Sequence, residues 1–219
     1  MHTEKWLNSL ERKFGRYAVP GLMNILITGM VIVWVMDYII CPASGKMPLS
    51  PLIAFSREDI MSGQIWRIIS FVFEPISSTP LFMIFTLYFY WMIGEVLEHQ
   101  WGTFRFNLYL YCSVIGAVIS GFLTGYTSNY YMILTMFLAF ALIAPDFQIL
   151  LFFFIPIKIK YLAWFDAVIL ILSFLASGLA GKISILISLI NFFIFFGEDF
   201  INIAKLKIHH WKYKMNNRK

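Results

Sequence analysis

The chain has 219 residues, of which 60% are hydrophobic and 13% are charged, and its formal net charge is +5. Because the apolar residues are gathered in long runs, this composition excludes a water-soluble globular domain and predicts an integral membrane protein. Two cysteines exclude a disulfide framework, and no spacing of Cys and His residues predicts a bound metal or cofactor.

The first 19 residues predict a short amphipathic helix. Trp6, Leu10, Phe14 and Tyr17 recur at helical spacing, and the charged residues occupy other faces. Such a helix can lie on the inner membrane surface. It can equally pack as a short helix on the cytoplasmic loops, and the pattern leaves both alternatives open.

Six apolar stretches follow, each of about the length that crosses a bilayer. They are Leu22–Ile40, Pro80–Leu97, Phe106–Gly125, Tyr130–Ala144, Tyr161–Gly178 and Ile183–Gly197. We therefore expect residues 1–219 to form one all-α membrane domain, a bundle of six transmembrane helices.

The basic residues predict the orientation of this bundle. Six spans place both termini on one side, and 13 of the 17 Lys and Arg residues then lie on that side. Since short basic segments stay cytoplasmic, both termini are expected in the cytoplasm, with a bacterial plasma membrane as the location. The basic tail, residues 200–219, is expected to meet anionic lipid headgroups and not nucleic acid, because no recognition motif accompanies the charge.

A long outer loop, residues 41–79, joins the first two spans. Loops of this length usually carry structure or function. The spacing of Ser56 and Asp59 resembles a capping box and predicts a helix start within the loop. Trp66 is expected at headgroup level, and Arg67 is expected to bind phosphates or backbone carbonyls.

Asp37 lies near the outer end of the first span, where an unpaired charge is costly. It is expected to pair with Arg67 or Lys46 and so to anchor the long loop. Proteolysis of an Asp37→Ala variant tests this expectation.

Charged residues also lie at or near membrane depth on the expected cytoplasmic side. They form a predicted polar cluster of Glu95, Glu98, Arg105 and Asp166. Arg105 is expected to pair with Glu98 or Asp166. A proton or ion relay is the disfavoured alternative, because a relay needs carboxylates distributed through the bilayer.

Small residues recur every four positions along the third span, at Ser113, Ala117, Gly121 and Gly125. This spacing lets helices approach closely in lipid. The stripe can form a dimer face or pack against other spans of the same chain. The second alternative is favoured, because a middle span of a bundle is usually surrounded.

Three motifs follow one another in the chain. They are Gly63-Gln64-x-Trp66-Arg67, then Gly94-x-x-Leu97-Glu98-x-x-Trp101-Gly102, then Pro145 followed by the apolar run 149–158. In this order and spacing the chain resembles the rhomboid superfamily and, more distantly, its Derlin branch. The resemblance implies a six-helix membrane bundle in which these motif residues are structural landmarks.

Active rhomboids pair a serine near the start of span four with a histidine in span six, and a histidine and an asparagine in span two hold the oxyanion. The matching positions here fall near Tyr130, Phe82 and Thr86, and no Gly-x-Ser-Gly occurs. The nearest polar residue in span six is Asn191. The four histidines lie near the expected cytoplasmic ends, at His2, His99, His209 and His210. A serine needs an adjacent base to become a nucleophile, so no catalytic residues are assigned and the resemblance implies a pseudoprotease.

The expected function is that of a non-catalytic, rhomboid-like membrane protein. It would bind the transmembrane segments of client proteins or perturb the bilayer locally, with lipid and such segments as partners and without nucleic acid, metal or cofactor. Two alternatives stay open. One is a serine protease with relocated groups, such as Ser128 with Lys182. The other is a small transporter or channel, which the absence of an inverted repeat in the sequence disfavours.

Overall fold

The computed structural model describes residues 2–76, 79–151 and 155–216, with side chains over 5–76, 79–150 and 156–198 and at Ile201 and Lys205. These residues are mostly helical. Five helices are long and apolar enough to cross a membrane: Leu22–Ser44, Pro80–Trp101, Thr103–Thr124, Ile159–Ala176 and Leu179–Glu198. The chain is thus a mainly α-helical, multi-pass integral membrane protein.

The helices are numbered in chain order. Those of 13 to 38 residues are α1 (His2–Phe14), α2 (Leu22–Val35), α7 (Pro80–Trp101), α8 (Thr103–Thr124), α9 (Tyr130–Ile143), α10 (Ile159–Ala176) and α11 (Leu179–Asn216). A π-helical turn, Met36–Ile40, joins α2 to α3 (Cys41–Ser44). The segment before α7 contains α4 (Ser50–Ile53), α5 (Arg57–Met61) and α6 (Arg67–Ser70), and 3-10 turns cover Gly15–Tyr17 and Phe71–Phe73.

Helix α9 is shorter than the five long apolar helices. Its 14 residues extend about 21 Å, whereas the hydrocarbon core of a bilayer is about 30 Å thick. Five of the six predicted spans therefore meet the length required for crossing, and the predicted fourth one does not. Helix α11 continues without a break from its apolar part into the basic tail, whose side chains, apart from Ile201 and Lys205, lie outside the described residues.

Two short strand pairs accompany the helices in the described residues, and neither was predicted from the sequence. Strand β1 (Phe55–Ser56) pairs antiparallel with β2 (Tyr126–Thr127), and β3 (Gln148–Leu151) pairs antiparallel with β4 (Ile155–Lys158). The first pair ties the segment before α7 to the end of α8. Such pairings are long-range or lie within an apolar run, so periodicity gives no signal for them.

The core of the bundle lies where α8 and α9 pack against α11 and where α2 packs against α7. In α9, Met136, Ala139 and Phe140 are fully buried. The ring of Phe196 in α11 contacts the rings of Trp101 and Tyr109. Helix α9 is therefore held from several sides although it is short.

Helix α1 packs on the start of α8 and on the middle of α11. Leu7 is buried, and the Trp6 ring meets the Phe195 ring edge-on at 5.9 Å. Phe14 and Tyr17, which share the predicted apolar face, are exposed. The helix thus contacts the transmembrane bundle itself, through a face centred on Leu7 that the predicted pattern did not single out.

Candidate functional site

A cavity of about 340 Å³ lies between α7, α9 and α10. Each of the three helices contributes apolar side chains to it: Phe85 and Phe89, then Ile133 and Phe137, then Leu162 and Phe165. We call this cavity the cleft. Concave sites with mostly apolar walls and a few polar groups are the usual ligand-binding sites on proteins.

The cleft exists because α7 and α10 both pack against α9. In the described part of the chain, few contacts join α7 directly to α10. Helix α10 also leaves large apolar side chains uncovered, since Phe165 is 65% exposed and Trp164 70%. A side of the bundle between α7 and α10 is therefore open toward the surroundings and lined with apolar groups.

Among the described residues, four polar side chains line the cleft: Thr86, Tyr90, Tyr130 and Asp166. Asp166 is only 7% exposed, and within the described residues its Oδ2 atom has no hydrogen-bond partner. Buried polar atoms without a partner are rare in proteins and call for a specific explanation. The sequence marks Asp166 as a charge at membrane depth, and the prediction was a cytoplasmic-side cluster and not a binding cavity.

The predicted cluster of Glu95, Glu98, Arg105 and Asp166 does not form around Arg105. Arg105 donates instead to Asn8 Oδ1 at 2.6 Å and to Glu11 Oε2 at 3.2 Å, both in α1. The prediction that Arg105 pairs with Glu98 or Asp166 is wrong, because α1 docks on the start of α8 and supplies the nearer acceptors. Glu95 is exposed on α7.

Glu98 has a different partner, the chain just before α2. Both of its carboxylate oxygens accept a hydrogen bond from Gly21 N–H, at 3.1 and 3.2 Å. A carboxylate at a helix N-terminus satisfies unpaired backbone N–H groups and complements the helix dipole. Glu98 thereby joins the end of α7 to the beginning of α2.

Arg67 fastens the segment before α7. Its guanidinium is buried and donates to Gln64 Oε1 at 2.8 Å and to the carbonyls of Pro51 and Ala54, each at 2.7 Å. It also forms an ion pair with Asp59 at 3.4 Å. The expectation that Arg67 binds backbone carbonyls is confirmed, and its motif partner Gln64 belongs to the same network.

Three further residues shape the same segment locally. Trp66 Nε1 donates to the Leu52 carbonyl at 3.0 Å. The Ser56 side chain accepts from Asp59 N–H and caps α5, as the capping-box spacing predicted. Gly63 has a φ of +108°, a conformation that residues with a Cβ rarely adopt.

Asp37 is buried in the π-helical turn after α2 and anchors the start of α4. Its carboxylate accepts hydrogen bonds from Leu49 N–H, Ser50 N–H and the Ser50 hydroxyl. The prediction that Asp37 anchors this segment agrees with the geometry. The predicted partners, Arg67 and Lys46, are wrong, because the start of α4 supplies closer donors.

The remaining motif residues mark close approaches between elements. A Cβ on Gly94 would lie 2.5 Å from Met23 Cγ, so α7 and α2 meet at this glycine. Gly102 has a φ of +92° and separates α7 from α8, and the Pro145 carbonyl accepts from Lys160 N–H at 3.1 Å. Gly94, Gly102 and Pro145 thus lie at the joints of the structure, whereas Ile149, in the apolar run after Pro145, lines the cleft.

The small-residue stripe on α8 faces other parts of the same chain. Ser113 accepts from Asn191 Nδ2 of α11 at 2.7 Å. A Cβ on Gly121 would lie 2.4 Å from the Phe55 ring, and Gly125 ends the helix with a φ of +95°. Ala117 is partly buried against the core.

In the described residues, Ser128 and Lys182, the pair proposed for a relocated serine protease, each contact other groups. Ser128 Oγ accepts from Tyr130 N–H, while the Lys182 ammonium lies over the Phe174 ring at 5.8 Å. His99 is exposed at the end of α7, and no hydrogen bond joins it to a serine within the described residues. His2, His209 and His210 have side chains outside the described residues.

Comparison with protein-family models, with curated proteins and with solved structures returned no match.

Proposed function

We propose that this chain is a non-catalytic, rhomboid-like membrane protein that binds transmembrane segments of other proteins in the cleft between α7 and α10. The observation that carries the proposal is the cleft itself, with its apolar walls and its open side. A transmembrane helix carries an apolar surface of matching chemistry. Packing and van der Waals contact drive helix association in lipid, so a cleft of this kind favours a helical guest.

The motifs that resemble rhomboids support the same proposal. Thr86 and Tyr130, which fall near the catalytic positions of active rhomboids, both line the cleft. A rhomboid-like chain without its nucleophile and base would keep the place where a substrate helix binds and lose the step that cuts it. Six spans with cytoplasmic termini are part of the proposal, supported by the distribution of basic residues.

Site-specific photocrosslinking in native membranes tests the proposal. A photoreactive residue at Phe165 faces the cleft, whereas one at Ile171 occupies an exposed position elsewhere on α10. We expect adducts with the transmembrane segments of other proteins from position 165 and not from position 171, identified by mass spectrometry of the crosslinked peptides. Lipid adducts alone at position 165 would contradict the proposal.

A second candidate function, local perturbation of the bilayer, is favoured by the length of α9. A helix of about 21 Å is shorter than the hydrocarbon layer, and local thinning of the bilayer is one response to such a mismatch. Reconstitution with brominated lipids of different acyl-chain lengths tests this candidate through quenching of Trp164, which is exposed on α10. Stronger quenching by short-chain than by long-chain lipids, relative to a single-span control helix, is the expected result, and equal quenching would contradict it.

A further inference from the structure

We infer that the cleft selects transmembrane helices that carry a lysine or arginine inside the membrane, with Asp166 as the residue that binds the cationic group. The inference rests on the proposed function and names the class of guest. Its basis is the contrast between two features of one cavity: walls that are mostly apolar, and one buried carboxylate whose Oδ2 atom lacks a donor within the described residues.

Among the described residues, the cations at the starts of α8 and α10 are bonded to groups other than Asp166. Arg105 binds Asn8 and Glu11 of α1. Lys158 and Lys160, which flank the start of α10, both bind Asp146. In the described part of the chain, Asp166 therefore has no cationic partner, although a carboxylate at membrane depth is costly and is normally paired.

The walls of the cleft complement an ammonium or guanidinium group in a second way. Each of these groups carries several N–H donors, more than one carboxylate oxygen satisfies. Thr86, Tyr90 and Tyr130 line the same cavity and supply hydroxyl oxygens as further acceptors. A hydroxyl or amide on a guest helix would make fewer hydrogen bonds and would not compensate the charge, so the arrangement favours a basic side chain.

The position of Asp166 along α10 also predicts the position of the guest residue. Asp166 lies seven residues after Ile159, the first residue of α10, which corresponds to about 10 Å along the helix axis. The basic residue of a guest should therefore lie about two turns inside the membrane, counted from the face at which α10 begins. A basic residue at the opposite end of the guest would not reach the carboxylate.

A defined set of host helices tests the inference. The full-length chain carries the photoreactive residue at Phe165 and is reconstituted with a single-span host helix of Leu and Ala. The host carries one Lys at successive positions, and the reference host has Leu there. We expect at least tenfold more adduct with Lys at the matched depth than with Leu. Asp166→Asn should abolish this preference, whereas Ser173→Ala, on the same helix outside the cleft lining, should keep it.

A charge exchange separates a direct contact from a loss of folding. Asp166→Lys should capture a host with Glu at the matched depth better than the host with Lys. Gel filtration of each variant in detergent verifies that it remains monodisperse.

Equal capture of the Lys and Leu hosts by the unmodified chain would overturn this inference and leave the proposed function standing. Failure to capture any host would contradict both. A preference for Lys that survives Asp166→Asn would overturn the role of Asp166.

Discussion

The carboxylate of Asp37 and the hydroxyl of Ser50 are hydrogen-bonded to each other, so the π-helical turn after α2 holds the beginning of α4. The same carboxylate accepts from the backbone N–H groups of Leu49 and Ser50. Asp37 thus satisfies the unpaired N–H groups at the N-terminus of a helix that would otherwise have no cap.

Replacement of Asp37 by Ala is expected to loosen the segment between α3 and α7. Loss of several hydrogen bonds to a buried carboxylate should lower local stability by about 2 kcal/mol. Limited proteolysis in detergent should then cut this segment at least several-fold faster. Glu58→Ala, an exposed position of the same segment, is the control and should leave the rate unchanged. Identical digestion of all three proteins would contradict the anchoring role.

Gly94 is expected to tolerate no side chain. Gly94→Ala places a methyl group within 2.6 Å of two Met23 atoms, so α2 and α7 must separate or Met23 must move. Overpacking of this kind costs about 1–3 kcal/mol, which thermal unfolding in detergent should report as a lower Tm.

Gly178→Ala is the matched control for this substitution. A Cβ at Gly178 meets no atom within 4 Å in the described structure, so the Tm should stay the same or rise slightly. A Gly94→Ala variant as stable as Gly178→Ala would show that α2 and α7 do not approach closely at this point.

The helix positions could be predicted from the sequence because each long apolar run is itself the signal for a membrane helix. The local cap formed by Ser56 and Asp59 was also predictable, since both residues lie within one turn of chain. Pairs of residues that meet across the bundle could not be predicted from the sequence. Arg105 binds Glu11, which is 94 residues away, and no periodicity indicates that α1 docks there.

The cleft, too, could be predicted only in part from the sequence. An acidic residue inside an apolar run marks Asp166 as unusual from sequence alone. The sequence does not show that α7 and α10 both pack on α9 and so leave a gap beside that residue. From the sequence, Thr86 and Tyr130 are only positions where the catalytic residues of rhomboids are missing, yet both line this cavity.

Glu74 is expected to make stability depend on pH. It lies in the segment before α7, and burial raises the pKa of its carboxyl group above the ordinary value of 4.5. Within the described residues its buried Oε2 has no hydrogen-bond partner. Because the folded state holds the proton more tightly than the unfolded state, the contribution to stability is fully present below the unfolded pKa. It is lost as the pH rises through the folded pKa.

Glu74→Gln, which cannot ionise, should remove this dependence. Its Tm relative to that of the unmodified protein should increase as the pH is raised from about 4 to about 7. Glu95→Gln, at an exposed position on α7, is the control and should show a smaller change over the same range. A difference between the Glu74→Gln variant and the unmodified protein that stays constant with pH would contradict the argument.

A fluorophosphonate probe is expected to leave the protein unlabelled in native membranes. The probe reacts with serines activated by an adjacent base. Among the described residues, the serine closest to such an arrangement is Ser50, whose hydroxyl donates to Asp37. That carboxylate also accepts two backbone N–H groups, so its oxygens already serve as the cap of α4.

Labelling of the unmodified chain that disappears in Ser50→Ala or in Ser128→Ala would identify a relocated nucleophile and would contradict the non-catalytic proposal. An active serine hydrolase added to the same membranes verifies that the probe is reactive. The contrast is informative because the cleft should still bind a guest helix when no serine reacts. Crosslinked guest helices at position 165, in a protein that the probe does not label, would indicate a client-binding protein. A protease needs both the guest and an activated hydroxyl.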